Sequence, residues 1–131
     1  MTPQEHDEAM AVVLGLAHFI AIVSADALLS SDKLRQMEAV GGISYKVLLT
    51  LVESVISEDP ELYASLQMNL PGLTEVERLF QGKAREWADL VTGQDRREFV
   101  RRMKELKNGF EAGAPDFGRA YENMYRIVAG L

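Results

Sequence analysis

Cysteine is absent from the 131 residues, which excludes disulfides, zinc–thiolate sites, iron–sulfur clusters and thiol nucleophiles. Histidine is scarce: His6 and His18 are the only two, and neither has a second His three or four residues away. That spacing is what sets two metal ligands on one helical face, so no metal site is expected. Alternating runs of Val, Ile and Thr with hairpin turns are missing, so no sheet is expected either. The phosphate-cradling glycine patterns, GxGxxG after a strand and GxxxxGK[ST], do not occur, which argues against a dinucleotide or nucleotide site. An excess of positive charge is lacking too. The 14 basic and 20 acidic side chains leave a formal charge of −6, against nucleic-acid binding, which needs a basic face. The opening MTPQEHDEA carries acids where a secretory signal carries Lys or Arg. A cytoplasmic location is expected.

What remains is a globular composition, 47% apolar and 26% charged, of a length that builds one domain with a real core. The punctuation is helical throughout. Thr2-Pro3-Gln4-Glu5 supplies an N-cap, a proline at the first helical position and a capping-box glutamate. No breaker but Gly15 intervenes before about Leu29, so a helix of roughly 27 residues and 40 Å is predicted. Its stretch from Ala9 to Val23 is apolar all round. With 15 residues, an internal His18, and Ser24 and Asp26 just beyond, it is short of the ~20 needed to span a bilayer. It reads as a helix buried on most sides, more than the rest of so small a chain can cover. A second copy is the expected cover.

Ser30-Ser31 are read as the cap of a short helix from Asp32 to about Val40. Further helices are predicted over 44–57, from Pro60 to about Asn69 behind an Asp59 cap, and from a Thr74 capping box to about Thr92. Two more follow, from Asp95 to about Ala112 and from Asp116 to about Gly130. The fold class is all-α, six to seven helices in one domain over 1–131. His18, a lone imidazole in an apolar helix, is by default a structural residue, although an imidazole in a dry groove also suits an anion or a phenol. The series Arg96, Arg97, Arg101, Arg102, Lys104 and Lys107, interleaved with Glu98 and Glu105, reads as a solvated face. Met10, Met37, Met68, Met103 and Met124 read as core fillers.

Two blocks carry a resemblance. EHDEAMAVVLGLAHF (Glu5 to Phe19) places His6-Asp7 twelve residues before His18-Phe19. SYKVLLTLVESVISEDPELYASLQMNLP (Ser44 to Pro71) carries Tyr45-Lys46, Asp59-Pro60, Leu62-Tyr63-Ala64 and Gln67. Together they resemble the helical C-terminal domain of prephenate dehydrogenases, and more loosely the likeness runs to the end of the chain.

The resemblance implies a helical dimerisation domain like the C-terminal domain of 6-phosphogluconate dehydrogenase, forming a homodimer through the N-terminal helix. Enzymes of this family oxidatively decarboxylate prephenate to 4-hydroxyphenylpyruvate, on the route to tyrosine. A Rossmann domain holds their NAD or NADP and supplies the catalytic His, and no counterpart of it is read in these residues. The resemblance thus implies no cofactor bound by this chain, no catalytic residue in it, and a Rossmann partner that is separate or excised. His18 matches a His that contacts substrate or inhibitory tyrosine. Tyr63 matches a position implicated in tyrosine inhibition, and His6 a structural His. Ser54 stands where the family has an Arg that binds a prephenate carboxylate. Lys46, about 80° round and roughly 12 Å along the same helix, cannot simply replace it. The substrate or effector residues are therefore His18, Tyr63, Ser54 and Lys46, facing an aromatic carboxylate such as prephenate or tyrosine. Two readings follow: the dimerisation and substrate-cleft domain of such an enzyme, inactive alone, or a stand-alone helical module that senses tyrosine or a related acid. A small helical chorismate mutase fits less well, because the basic residues cluster on one late helix rather than converging inside a bundle.

Overall fold

The computed structural model describes residues 1–32, 36 and 41–130. Among these the chain is helical, without a strand. The elements are α1 (Pro3–Met10), a π-helical segment (Ala11–Leu16), α2 (Ala17–Leu29), α3 (Ile43–Ile56), α4 (Pro60–Asn69), α5 (Leu73–Thr92), α6 (Arg96–Gly113), a 3₁₀ turn (Phe117–Arg119) and α7 (Ala120–Ala129). The short helix expected over 32–40 lies almost wholly outside the described residues. Packing divides the chain into two units, Met1–Arg78 and Leu79–Leu131, with the division inside α5.

The caps form largely as the sequence dictates. The Thr2 hydroxyl accepts from the Glu5 N–H at 3.1 Å while the Glu5 carboxylate accepts from the Thr2 N–H at 2.7 Å. Asp59 accepts from the Glu61 N–H at 3.0 Å and Asp95 from the Glu98 N–H at 3.2 Å. Each satisfies an N–H that the first helical turn leaves without a backbone partner.

One expected cap does not form. Helix α5 starts at Leu73, so Thr74 is already inside it. Gly72, at φ 78°, makes the turn that only glycine adopts freely. Leu73 is then drawn into the core, 1% exposed, which fixes the helix start two residues early. The last predicted helix is likewise split, with the 3₁₀ turn preceding α7.

In the first unit, α1, the π-segment and α2 form one rod from Pro3 to Leu29. Among the described residues it is the helix long and apolar enough, by length and composition, to cross a membrane. Its fully buried residues are all small, Ala11, Gly15, Ala21 and Ala25, and α3, whose own buried residues are Val52 and Val55, packs on the α2 part of the rod. Small side chains four residues apart, Ala11 with Gly15 and Ala21 with Ala25, let neighbouring elements approach the rod closely. Val12, Val13 and Val23 on the other faces stay exposed.

The second unit has no fully buried residue among those described. Its contacts are edge-on or stacked aromatic pairs, Trp87 with Phe99 at 5.0 Å and Phe110 with Phe117 at 6.1 Å. Phe99, Val100, Met103, Leu106, Phe110 and Phe117 line an apolar groove of about 460 Å³. Met68 and Met103, expected as core fillers, are exposed, because nothing in their own unit reaches over them. Two of the basic residues of α6 are tied to acids: Arg101 to Glu98 and Glu105, and Arg102 to Glu86 at 2.7 Å.

Candidate functional site

The first unit brings two of the sequence-predicted residues together. His18 on α2 and Tyr63 on α4 meet edge to face, with ring centroids 4.9 Å apart and planes at 77°. Such T-shaped pairs place the positive rim of one ring against the negative face of the other. Both residues are half-buried. His18 falls on the small-residue stripe, three residues after Gly15 and three before Ala21, so the same periodicity that packs α2 turns its imidazole inward.

One helical turn from each ring, the two elements are tied again. Gln67 Nε2 on α4 donates to the main-chain carbonyl of Gly15 at 2.9 Å. Gly15 is also where Leu73 seats: a Cβ there would lie 2.4 Å from Leu73 Cδ1 and 2.9 Å from Cδ2. Thus α2, α4 and the start of α5 converge on one glycine in a π-helical turn.

Three buried polar atoms in this unit make no hydrogen bond among the described residues: His18 Nδ1, the Tyr45 hydroxyl and Glu77 Oε2. Leaving such an atom unpaired costs about 1–3 kcal/mol, so each is a natural contact for a ligand group that can pair with it. Burial pushes the Glu77 carboxyl above its usual range. An imidazole nitrogen and a phenol ring side by side suit a flat aromatic ligand with a hydroxyl or carboxylate to offer the nitrogen.

Ser54 and Lys46 both lie on α3 and are exposed. The Ser54 hydroxyl donates within its own helix to the Leu51 carbonyl at 2.7 Å. Among the described residues, no hydrogen bond or ring contact links either side chain to the His18–Tyr63 pair. His6 is exposed beside Asp7, Nδ1 to Oδ1 3.8 Å. Gln67 was legible only as part of a resemblance; its position one turn after Tyr63 is the signal that places it on the same face.

The described residues contain no strand, glycine loop and helix in succession, the unit that cradles a dinucleotide pyrophosphate in a Rossmann domain.

A comparison with known families matches residues 2–105 to the family described as prephenate dehydrogenase, dimerization domain. Among curated proteins, the chain is 31% identical over 114 residues to a probable arogenate/prephenate dehydrogenase of Methanocaldococcus jannaschii. The match covers 86% of this chain and 25% of that protein, so the chain spans about a quarter of its relative's length. No solved structure matches the chain. On the extent of these matches, the chain belongs to the prephenate dehydrogenase dimerization-domain family.

Proposed function

We infer that this chain works as a homodimer that forms the helical wall of an aromatic-acid cleft in a prephenate or arogenate dehydrogenase. The observation that carries the dimer is uncovered apolar surface. Val12, Val13, Val23 and Leu29 of one helical rod are 47–74% exposed, a run of large apolar side chains that an obligate interface, commonly more than about 2,000 Å² in total, would cover. The exposed faces of the Pro3–Leu29 rod supply part of that surface. A protein partner suits it better than lipid, because the rod's other face is already packed on α3 and hydrogen-bonded by Gln67.

The His18–Tyr63 pair is the ligand-facing part of this reading. The six-membered ring of prephenate, tyrosine or 4-hydroxyphenylpyruvate would lie against Tyr63, with a polar group on His18. NAD or NADP belongs to a Rossmann domain elsewhere in such an enzyme, and when bound there it accepts the hydride. This chain's residues only bind and orient the acid and exclude water from it. A cytosolic setting belongs to the same proposal, supported by a sequence that needs no oxidising compartment.

A second reading, a tyrosine-sensing module without dehydrogenase activity, is favoured by Ser54, whose hydroxyl is spent inside α3 and which offers no cation for a carboxylate. Calorimetric titration of the chain with 4-hydroxyphenylpyruvate, tyrosine, NAD and NADP tests both. Saturable binding of an aromatic acid, weakened at least fivefold by His18→Gln, is expected with no dinucleotide binding. Aromatic acids that bind equally well to His18→Gln would remove the site. A tyrosine affinity far above that for 4-hydroxyphenylpyruvate would favour the sensor.

A further inference from the structure

Among the described residues, the His18 imidazole is held by no hydrogen bond at Nδ1. Its orientation therefore depends on where the backbone of α2 places it and on the Tyr63 ring against it. That backbone emerges from the π-segment Ala11–Leu16. A π-turn holds one residue more than an α-turn, so gaining or losing it rotates everything downstream by about 100°. Such a rotation would carry His18 off the face that meets α4.

We propose that Gln67 is the positioning residue for His18, its side-chain amide clamping the Gly15 carbonyl and so holding the register of the π-turn from which α2 leaves. The contact joins residues 52 apart in the chain and is partly buried. It is also directional, as the Leu73 side chain seated on the same glycine is not: packing sets how close the helices lie, while a hydrogen bond to one carbonyl sets how the turn is rotated. The register supports it. Gly15 to His18 is three residues on the rod, Gln67 back to Tyr63 is four on α4, so the amide clamp and the ring contact sit one turn apart on the same pair of helices. The functional weight of this inference rests on His18 and Tyr63 forming the ligand site; its structural half is readable in the free protein.

The test uses the full chain in three forms: wild type, Gln67→Met, which keeps the length and loses the donor, and Gln67→Lys, which keeps both reach and a donor. In wild type and Gln67→Lys, nuclear Overhauser contacts between the His18 and Tyr63 ring protons should be present. In Gln67→Met they should fall at least threefold. With 4-hydroxyphenylpyruvate as probe, Gln67→Met should weaken binding about tenfold in the wild-type background but less than twofold in His18→Gln, because a positioning residue acts only through the residue it positions. Unchanged ring contacts in Gln67→Met, or equal weakening in both backgrounds, would overturn the proposal. Should Gln67→Met fail to fold, wild type still decides: the Gln67 amide protons should be protected from exchange and close to Gly15 Hα, and a freely exchanging amide contradicts the clamp. If the probe does not bind wild type at all, the ligand reading falls while the ring contacts still judge Gln67.

Discussion

Leu73 occupies the volume that a side chain on Gly15 would fill, its Cδ1 only 2.4 Å from where a Cβ would stand. The pair joins the π-helical turn to the start of α5 and explains why a glycine persists in an otherwise apolar rod. Alanine is the better helix former by about 1 kcal/mol, yet overpacking a seated leucine costs about 1–3 kcal/mol. Gly15→Ala should therefore destabilise by up to about 2 kcal/mol in chemical denaturation. Leu73→Ala alone should cost about 2–4 kcal/mol. The double variant should be more stable than the two losses combined predict, because the new methyl enters the space the leucine leaves. Simple additivity would mean the two residues do not share that space.

Glu77 gives the fold a pH dependence of known sign. Burial raises its carboxyl above the ordinary value of 4.5, so the folded chain holds this proton more tightly than the unfolded chain. Its contribution to stability is then lost as pH rises from the ordinary glutamate range through the raised value. Glu77→Gln removes the titration. At fixed protein concentration, the variant should melt roughly 1–3 °C higher than wild type at pH 7 and no higher at pH 4. A lower melting temperature at pH 7 would show that the ionised carboxylate has a partner.

In the second unit, Arg102 stacks over Trp87 at 5.3 Å while donating to Glu86 at 2.7 Å. Arg102→Ala should lower stability by about 1 kcal/mol, through lost cation–π contact and lost cover of the indole. Arg102→Lys should recover little of it, since the flat guanidinium serves both partners at once. The Arg102 hydrogen bond, with Lys83 beside it, holds the Glu86 carboxyl below its usual range. The stability from this contact is present above the unfolded glutamate value and is lost as pH falls through the lowered one. The Arg102→Ala deficit should accordingly shrink near pH 3.

Ser54 is exposed on α3, so arginine fits there without a burial penalty. If this position faces the carboxylate of the bound acid, Ser54→Arg should tighten 4-hydroxyphenylpyruvate binding. An exposed charge pair is worth about 1 kcal/mol or less, hence up to about fivefold, and the gain should shrink in high salt. An unchanged affinity in a normally folded variant would take Ser54 out of the site.

The elements were legible where side chains write them. The Thr2, Asp59 and Asp95 caps are short-range patterns, and each sits where three or four residues of sequence place it. The π-turn is not of that kind: it is a change of hydrogen-bond partner along the backbone, and Gly15 is the one side-chain trace it leaves. The Thr74 cap failed because a long-range contact, Leu73 on Gly15, outweighed a local preference worth about 1 kcal/mol. Of the candidate site, the sequence singles out His18 and Tyr63, and the structure brings their rings together. The Gln67 clamp spans 52 residues, and its one local trace is that Gln67 follows Tyr63 by a helical turn. Apolar faces on the rod and on α6 are visible in composition, but what covers them is not written in one chain.

In the proposed homodimer a second copy covers those faces. Sedimentation equilibrium of the wild-type chain at micromolar concentration measures this directly. A mass about twice the 14.6 kDa of the chain is expected, unchanged on dilution to the nanomolar range, as an obligate interface requires. A single species at the chain mass would contradict it.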